Sequence, residues 1–277
     1  MSHPWTKRIL TAAAVSLVVV APALPAHAAP PRAAAWASAG TATIHPGVQM
    51  RTRGAQCTAN FVFTNGTKVY LGYAAHCAST SAATATNGCQ AGSLPLGIPV
   101  QITGATRPGR LAYSSWHTMR QRGERNGDAC KYNDFALVQI DPADVDRVNP
   151  SVPRWGGPDG LNTVGIRSGE IVYSYGNSAL RRGIALLNPK HGVSLGTVGN
   201  GWSHGVYTAT PGIPGDSGSA FLDSRGRALG VLSTLMILPW PASNGVGDLA
   251  HQLAYARAHG GLGGVRLVPG TEPFRGR

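Results

Sequence analysis

Short apolar runs, each closed off by Gly, Pro, Asn or Ser, recur along the chain from about residue 60 onward. Phe61-Val62-Phe63-Thr64 and Thr67-Lys68-Val69-Tyr70-Leu71 flank Asn65-Gly66. That dipeptide readily supplies the positive φ angles of a two-residue hairpin turn. Phe135-Ala136-Leu137-Val138-Gln139-Ile140 predicts another strand, ended by Asp141-Pro142. After a Pro/Gly-rich stretch at 149–160, which marks an interdomain connection, further short runs lie at 169–175, 183–187, 206–210, 219–222 and 228–238. One helix is predicted near the end: Asp248 as N-cap, Leu249 and Leu253 at helical spacing, and Gly260-Gly261 as the stop. Many strands and one late helix predict an all-β sandwich or barrel protein.

Composition agrees with that pattern. Glycine (37) and proline (20) are abundant, and neither suits the interior of a helix or strand. Charged residues are 13% and hydrophobic residues 43%, which excludes a disordered tail.

The first residues change the picture of where the chain goes. Lys7 and Arg8 precede an apolar run at 9–20, then Pro22, Pro25 and Ala26-His27-Ala28. This is the pattern of a signal peptide over 1–28, cut after Ala28. The run is too short to cross ~30 Å of hydrocarbon, so a membrane anchor is disfavoured. A secreted, extracellular protein with no membrane association after signal removal is expected. Residues 29–42 read as a flexible N-terminal segment or short propeptide.

Four cysteines in an exported chain predict two disulfides, for which three pairings exist. Pairing nearest neighbours closes the most compact loops. No Cys-x-x-Cys occurs, so a zinc site is not expected, nor any other metal or cofactor. The formal charge is +12, of which Lys7 and Arg8 supply two. Such a surface attracts polyanions weakly. The densest basic stretch, Arg107 to Lys131, includes Tyr113 and Trp116 but matches no nucleic-acid motif, and it reads as a solvated loop.

Three segments carry chemistry: Ala74-Ala75-His76-Cys77, Asn133-Asp134-Phe135 and Gly215-Asp216-Ser217-Gly218-Ser219. A serine hydroxyl is a poor nucleophile near neutral pH and needs an adjacent base. Histidine can take and return a proton, and a buried carboxylate fixes its tautomer. A glycine-bounded turn at Ser217 lets backbone N–H groups face a developing oxyanion. Each segment alone has a purely structural explanation. Their joint occurrence, in the order His, Asp, Ser, is the informative feature.

On these motifs the chain resembles the trypsin/chymotrypsin family of serine proteases, in its secreted bacterial form, from about Cys57 to His259. The resemblance implies two perpendicular six-stranded β-barrels with a C-terminal helix: one barrel at 43–150 holding His76 and Asp134, the other at 151–277 holding Ser217, and the helix at about 248–259. It implies His76 as general base, Asp134 as its orienting partner, Ser217 as nucleophile, and the N–H groups of Gly215 and Ser217 as the oxyanion hole. It also implies a Cys57–Cys77 bridge, leaving Cys89 with Cys130. Ser233, Thr234 and Leu235 then fall on the substrate-binding strand. Protein or peptide substrates and a monomeric state are expected.

Departures from the family are also legible. No Ile-Val-Gly-Gly-like start is present whose amine would pair with Asp216, so its partner is open, an arginine being one candidate. Leu232 stands where glutamate-specific bacterial relatives carry histidine, and no acidic residue lies just before Asp216. Leu235 narrows the pocket toward small or medium apolar side chains. Other readings are an esterase, which needs Gly-x-Ser-x-Gly where position 219 is Ser, a catalytically silent binding protein on the same fold, and a polyanion-binding protein.

Overall fold

A computed structural model describes Met1 and residues 36–82, 84–236 and 241–276. Residues 2–28 of the signal peptide, the first half of the 29–42 segment and the end of the 228–238 run lie outside the described residues.

In the first half the chain forms β1 (Gln49–Thr52), β2 (Ala55–Thr58), β3 (Val62–Thr64), β4 (Val69–Tyr73), β5 (Pro99–Ile102), β6 (Gly109–Ser114) and β7 (Ala136–Gln139). The second half forms β8 (Ile171–Tyr175), β9 (Pro189–Val198), β10 (Ser203–Thr208), β11 (Ala220–Asp223), β12 (Ala228–Met236) and β13 (Ser243–Asp248), with β14 (Arg266–Leu267) in the tail. Three α-helices intervene: α1 (Ser115–Arg122), α2 (Gly127–Tyr132) and α3 (Leu249–His259). Strands β8 to β13 close into a six-stranded barrel in the order β10-β13-β12-β11-β8-β9. The others form an antiparallel sheet in the order β14-β3-β4-β7-β6-β5-β1-β2. It has eight strands, not six, partly because the tail returns to pair Arg266 with Thr64 and Leu267 with Phe63. This is the chymotrypsin-like fold.

Burial explains the strand pattern. All five residues of β4 are buried, because this strand sits between β3 and β7 with both faces covered. Tyr70, Tyr73, Phe61, Phe63 and Phe135 fill the first core, which runs on into Ala220, Leu222 and Val231 of the second half. Val172, Val206, Phe221 and Val246 fill the barrel. Each such side chain contributes roughly 1.5–3 kcal/mol by leaving water.

Three sequence readings need correction. The hairpin turn spans four residues, since Thr64 pairs with Val69. The Asn65 side chain accepts from the N–H groups of Thr67 and Lys68 and so stabilises a longer loop. The apolar run at 183–187 is not a strand: Ala185–Leu187 is a 3-10 turn with Leu186 fully exposed, and the neighbouring strand begins at Pro189.

The basic stretch is not a loop but includes α1 and α2, with α3 therefore one helix of three among the described residues. Their caps explain them. Ser114 and Gly123 bound α1, while the Asn126 side chain accepts from the N–H groups of Asp128 and Ala129 to open α2. Helices this short show little periodicity, so their signal lies in the caps. Helix α3 starts and ends as expected, Asp248 capping the His251 N–H at 2.9 Å.

Candidate functional site

His76 sits in a 3-10 turn, Ala75–Ala78, directly after the buried strand β4. A disulfide from Cys57 in β2 to Cys77 ties the turn down, with the Cα atoms 6.2 Å apart. Closing a loop of this length contributes about 3 kcal/mol. Cys89 and Cys130 form the second bridge, pinning α2 to the segment before α1. The donor atoms of Cys57, His76 and Cys77 lie within 4.8 Å of one another, but the bridged sulfurs offer no thiolate to a metal.

Asp134 follows α2 and enters β7, with 5% of its side chain exposed. Its Oδ1 accepts from the His76 backbone N–H at 2.8 Å, and its Oδ2 faces His76 Nδ1 at 2.6 Å. The same Oδ2 accepts from Ser233 Oγ at 2.5 Å. Burial works to raise the Asp134 pKa, but the imidazole and these hydrogen bonds outweigh it and hold the carboxyl below its ordinary value. Burial likewise works to lower the His76 pKa, and the Asp134 charge and hydrogen bond overcome it, so the imidazole is raised. Nδ1 is thereby committed to the carboxylate, and Nε2 is the nitrogen left for chemistry.

Ser217 lies in a turn between two left-handed glycines, Gly215 at φ 95° and Gly218 at φ 90°. A Cβ on Gly218 would approach the Thr58 carbonyl to 2.5 Å, so glycine is required by space as well as by angle. The Ser217 carbonyl accepts from Thr58 N at 2.8 Å. The Gly215 carbonyl accepts from Thr58 Oγ1 at 2.8 Å and Gln56 Nε2 at 3.0 Å. With those carbonyls anchored on β2, the N–H groups of Gly215 and Ser217 form no bond among the described residues.

Asp216 points the other way and is fully buried. Its Oδ1 accepts from Ser178 N at 2.9 Å, while Oδ2 accepts from Arg181 Nη2 at 2.7 Å and lies 3.0 Å from Lys190 Nζ. The open question of its partner is therefore answered by an arginine and, in addition, a lysine.

His76, Asp134, Ser217, Gly215, Ser233, Thr234 and Leu235 line one cavity of about 590 Å³. No hydrogen bond joins the Ser217 hydroxyl to His76 among the described residues. Thr234 is half-buried, and Leu235 is 52% exposed at the cavity's side. Leu232 and Asn244 complete that side. The Asn244 carboxamide accepts from Gly212 N at 2.8 Å and donates to Gly212 O at 3.1 Å, clamping the segment before the serine turn.

Several contributors escaped sequence reading. Trp116 of α1 lies with its ring centroid 6.3 Å from that of His76 and lines the cavity. Gln56 and Asn244 act through backbone contacts that carry no local motif. Ser233 was legible as a pocket residue, but its bond to Asp134 spans 99 positions. Arg181 and Lys190 had no signal beyond the need for a cation near Asp216.

No family model matches the chain, and no curated protein does either. Solved structures do match. Thermobifida fusca Protease A is 18% identical, with a TM-score of 0.51 over 82% of this chain and 99% of that one. Cellulomonas bogoriensis chymotrypsin is 18% identical, with a TM-score of 0.48 over 82% and 98%. Nocardiopsis protease is 17% identical, with a TM-score of 0.47 over 81% and 98%. At this identity the likeness to Protease A is one of fold: the chain has the architecture of a bacterial chymotrypsin-like serine protease.

Proposed function

We propose that the chain is a secreted serine endopeptidase that cleaves peptide bonds through an acyl-enzyme, with His76, Asp134 and Ser217 as its triad. One observation carries this reading. A histidine whose Nδ1 is tied to a buried carboxylate shares an open cavity with a hydroxyl set in a sharp double-glycine turn. In this mechanism His76 Nε2 removes the Ser217 proton as Oγ attacks the substrate carbonyl carbon. The carbonyl oxygen becomes an oxyanion held by the N–H groups of Gly215 and Ser217. His76, now an imidazolium stabilised by Asp134, gives its proton to the leaving amine. Water then repeats the sequence on the ester and frees the serine. Catalytic hydrogen bonds often tighten only once substrate binds, which is the stage at which Ser217 Oγ and His76 Nε2 pair.

Leu232 and Leu235 support a preference for small or medium apolar side chains at the cleaved position, since the cavity side they form carries no charge. The fold, the two disulfides and the leader pattern support export. A fluorophosphonate probe on the purified secreted protein tests the core of the reading. Labelling that disappears in Ser217→Ala, together with casein hydrolysis, is expected. Absence of labelling would support the silent binding protein, and labelling without peptide hydrolysis the esterase. A cleavage profile dominated by Arg or Glu would overturn the specificity.

A further inference from the structure

Asp216 holds two buried cations where charge balance asks for one. The Arg181 and Lys190 side chains are 7% and 0% exposed, and the carboxylate they share is 0% exposed. Arg181 alone neutralises Asp216 and also donates to the Pro211 carbonyl at 2.9 Å. The lysine is therefore an excess positive charge, and its ammonium lies 3.0 Å from Oδ2 without an aligned hydrogen bond. Removing an ammonium from water is costly, so a purely structural filler at this position would be better served by an apolar side chain.

The location suggests what it does. Lys190 opens β9, and its Cε lies against Gly176, where a Cβ would approach it to 2.7 Å. Gly176 precedes the segment whose Ser178 N–H donates to Asp216 Oδ1. On its other side, Asp216 is flanked in sequence by Gly215 and Ser217, both of which line the cavity. The charged groups facing Lys190 are Asp216 from the serine turn and Arg181 from the 3-10 turn at Ala179–Arg181. Tyr175 of β8, the nearest phenol in sequence, is a hydrogen-bond partner of Asn188.

We propose that Lys190 is a positioning residue for this turn: its buried ammonium, acting through Asp216, holds the Gly215 and Ser217 N–H groups on the oxyanion. This rests on the proposed peptidase reading. It implies that the turn is set by cations inside the barrel half. Burial lowers the Lys190 pKa, Asp216 opposes that, and Arg181 adds to it; the net shift is downward. The ammonium is thus lost at a lower pH than for an ordinary lysine. Because its folded pKa is depressed, the stability it contributes is present above its unfolded pKa and lost as pH falls through the folded one. Alkaline loss of activity from this group therefore comes without unfolding.

The test is Lys190→Met, with kcat and KM measured on a peptide amide from about pH 6 to about pH 11 and thermal melts run alongside. In the variant, kcat should fall roughly tenfold with KM within about twofold, the signature of lost transition-state contacts. The wild type should show an alkaline fall in kcat while still folded, and the variant should lack it. Unchanged kcat, or an alkaline limb that stays in place, overturns the proposal. If Lys190→Met does not fold, carbon-13-labelled lysine in the wild type decides: the Lys190 signal must titrate with the alkaline limb, and a mismatch of about one pH unit or more overturns it. Fluorophosphonate labelling of wild-type Ser217 separates this failure from failure of the peptidase reading, which alone would abolish labelling.

Discussion

Three histidine–aspartate contacts occur among the described residues, and the two at His76 and His204 make the sharpest contrast. In the first half, His76 Nδ1 meets Asp134 at 2.6 Å, and the histidine side chain is 24% exposed. In the barrel, His204 Nε2 meets Asp248 at 2.9 Å, and that histidine is wholly buried. The second nitrogen tells them apart. His204 Nδ1 is taken by Thr197 Oγ1 at 3.0 Å, so neither ring nitrogen is left for a substrate. Asp248 is committed as well: its Oδ1 caps α3 through His251 N and faces His251 Nδ1 at 2.8 Å. The barrel pair thus fastens a helix to a strand. The cavity beside Asp248, at about 660 Å³, is even larger than the one at His76. Neither an imidazole–carboxylate bond nor cavity size sets His76 apart from His204; a second ring nitrogen left without a partner, in a cavity shared with the Ser217 hydroxyl, does.

The largest expected effect separates the two pairs outright. His76→Ala should reduce kcat/KM about 10⁴-fold, as removal of a triad base does, with little change in melting temperature. His204→Ala should do the reverse. It leaves Asp248 Oδ2 without its partner while Oδ1 keeps His251, and should cost about 1–3 kcal/mol of stability. Its kcat per probe-labelled serine should stay within a few-fold of the wild type. Chromogenic peptide assays paired with denaturant melts read both, and a His204 variant as inactive as the His76 variant would erase the distinction.

How far sequence could anticipate this contrast depends on the range of each interaction. His76, Asp134 and Ser217 stand in local motifs, so the three segments that meet at the cavity and the barrel half were legible. Asp248 was legible only as a helix cap, because its partner His204 lies 44 positions away in a strand without a motif. Arg181 and Lys190 converge on Asp216 from two further elements, and nothing near the serine signals which cations they are. Helices α1 and α2 escaped because a one- or two-turn helix has caps but scarcely a period. With α1 went Trp116, which forms part of the cavity wall.

The pH dependence sharpens the comparison at intermediate size. Asp134 raises the His76 pKa, so activity should climb with a midpoint above the ordinary ~6.5 of histidine. In linkage terms, the stability this imidazole contributes is fully present below its unfolded pKa and is lost as pH rises through the raised folded value. Asp134, held low, contributes stability above its unfolded pKa that is lost as pH falls through the folded one. The proposed peptidase activity should therefore be greatest on the side of His76's titration where that pair's stabilisation has faded. In Asp134→Asn the acid limb should move down by about a unit or more, alongside a large loss of kcat, since the amide cannot hold the imidazolium. A limb that does not move would mean another group controls the rate.

The smallest predicted effect concerns Ser233, which links the two halves at the site. Its hydroxyl donates to Asp134 Oδ2 at 2.5 Å from β12, while His76 approaches the same oxygen from the other sheet. Ser233→Ala removes one donor from a carboxylate that keeps His76 Nδ1 and the His76 backbone N–H. A hydrogen bond to a charged group is worth about 1.5–3 kcal/mol when its loss strands the partner, and here the partner stays bonded. The expected loss of kcat is accordingly about three- to tenfold. Its sign on the pH profile is the more telling readout. Without the serine, Asp134 holds more of its negative charge for the imidazole, so the acid limb should shift upward, opposite to Asp134→Asn. A downward shift in Ser233→Ala would mean that the hydroxyl acts on the substrate pocket and not on the carboxylate, and the bridge between the halves would lose its catalytic meaning.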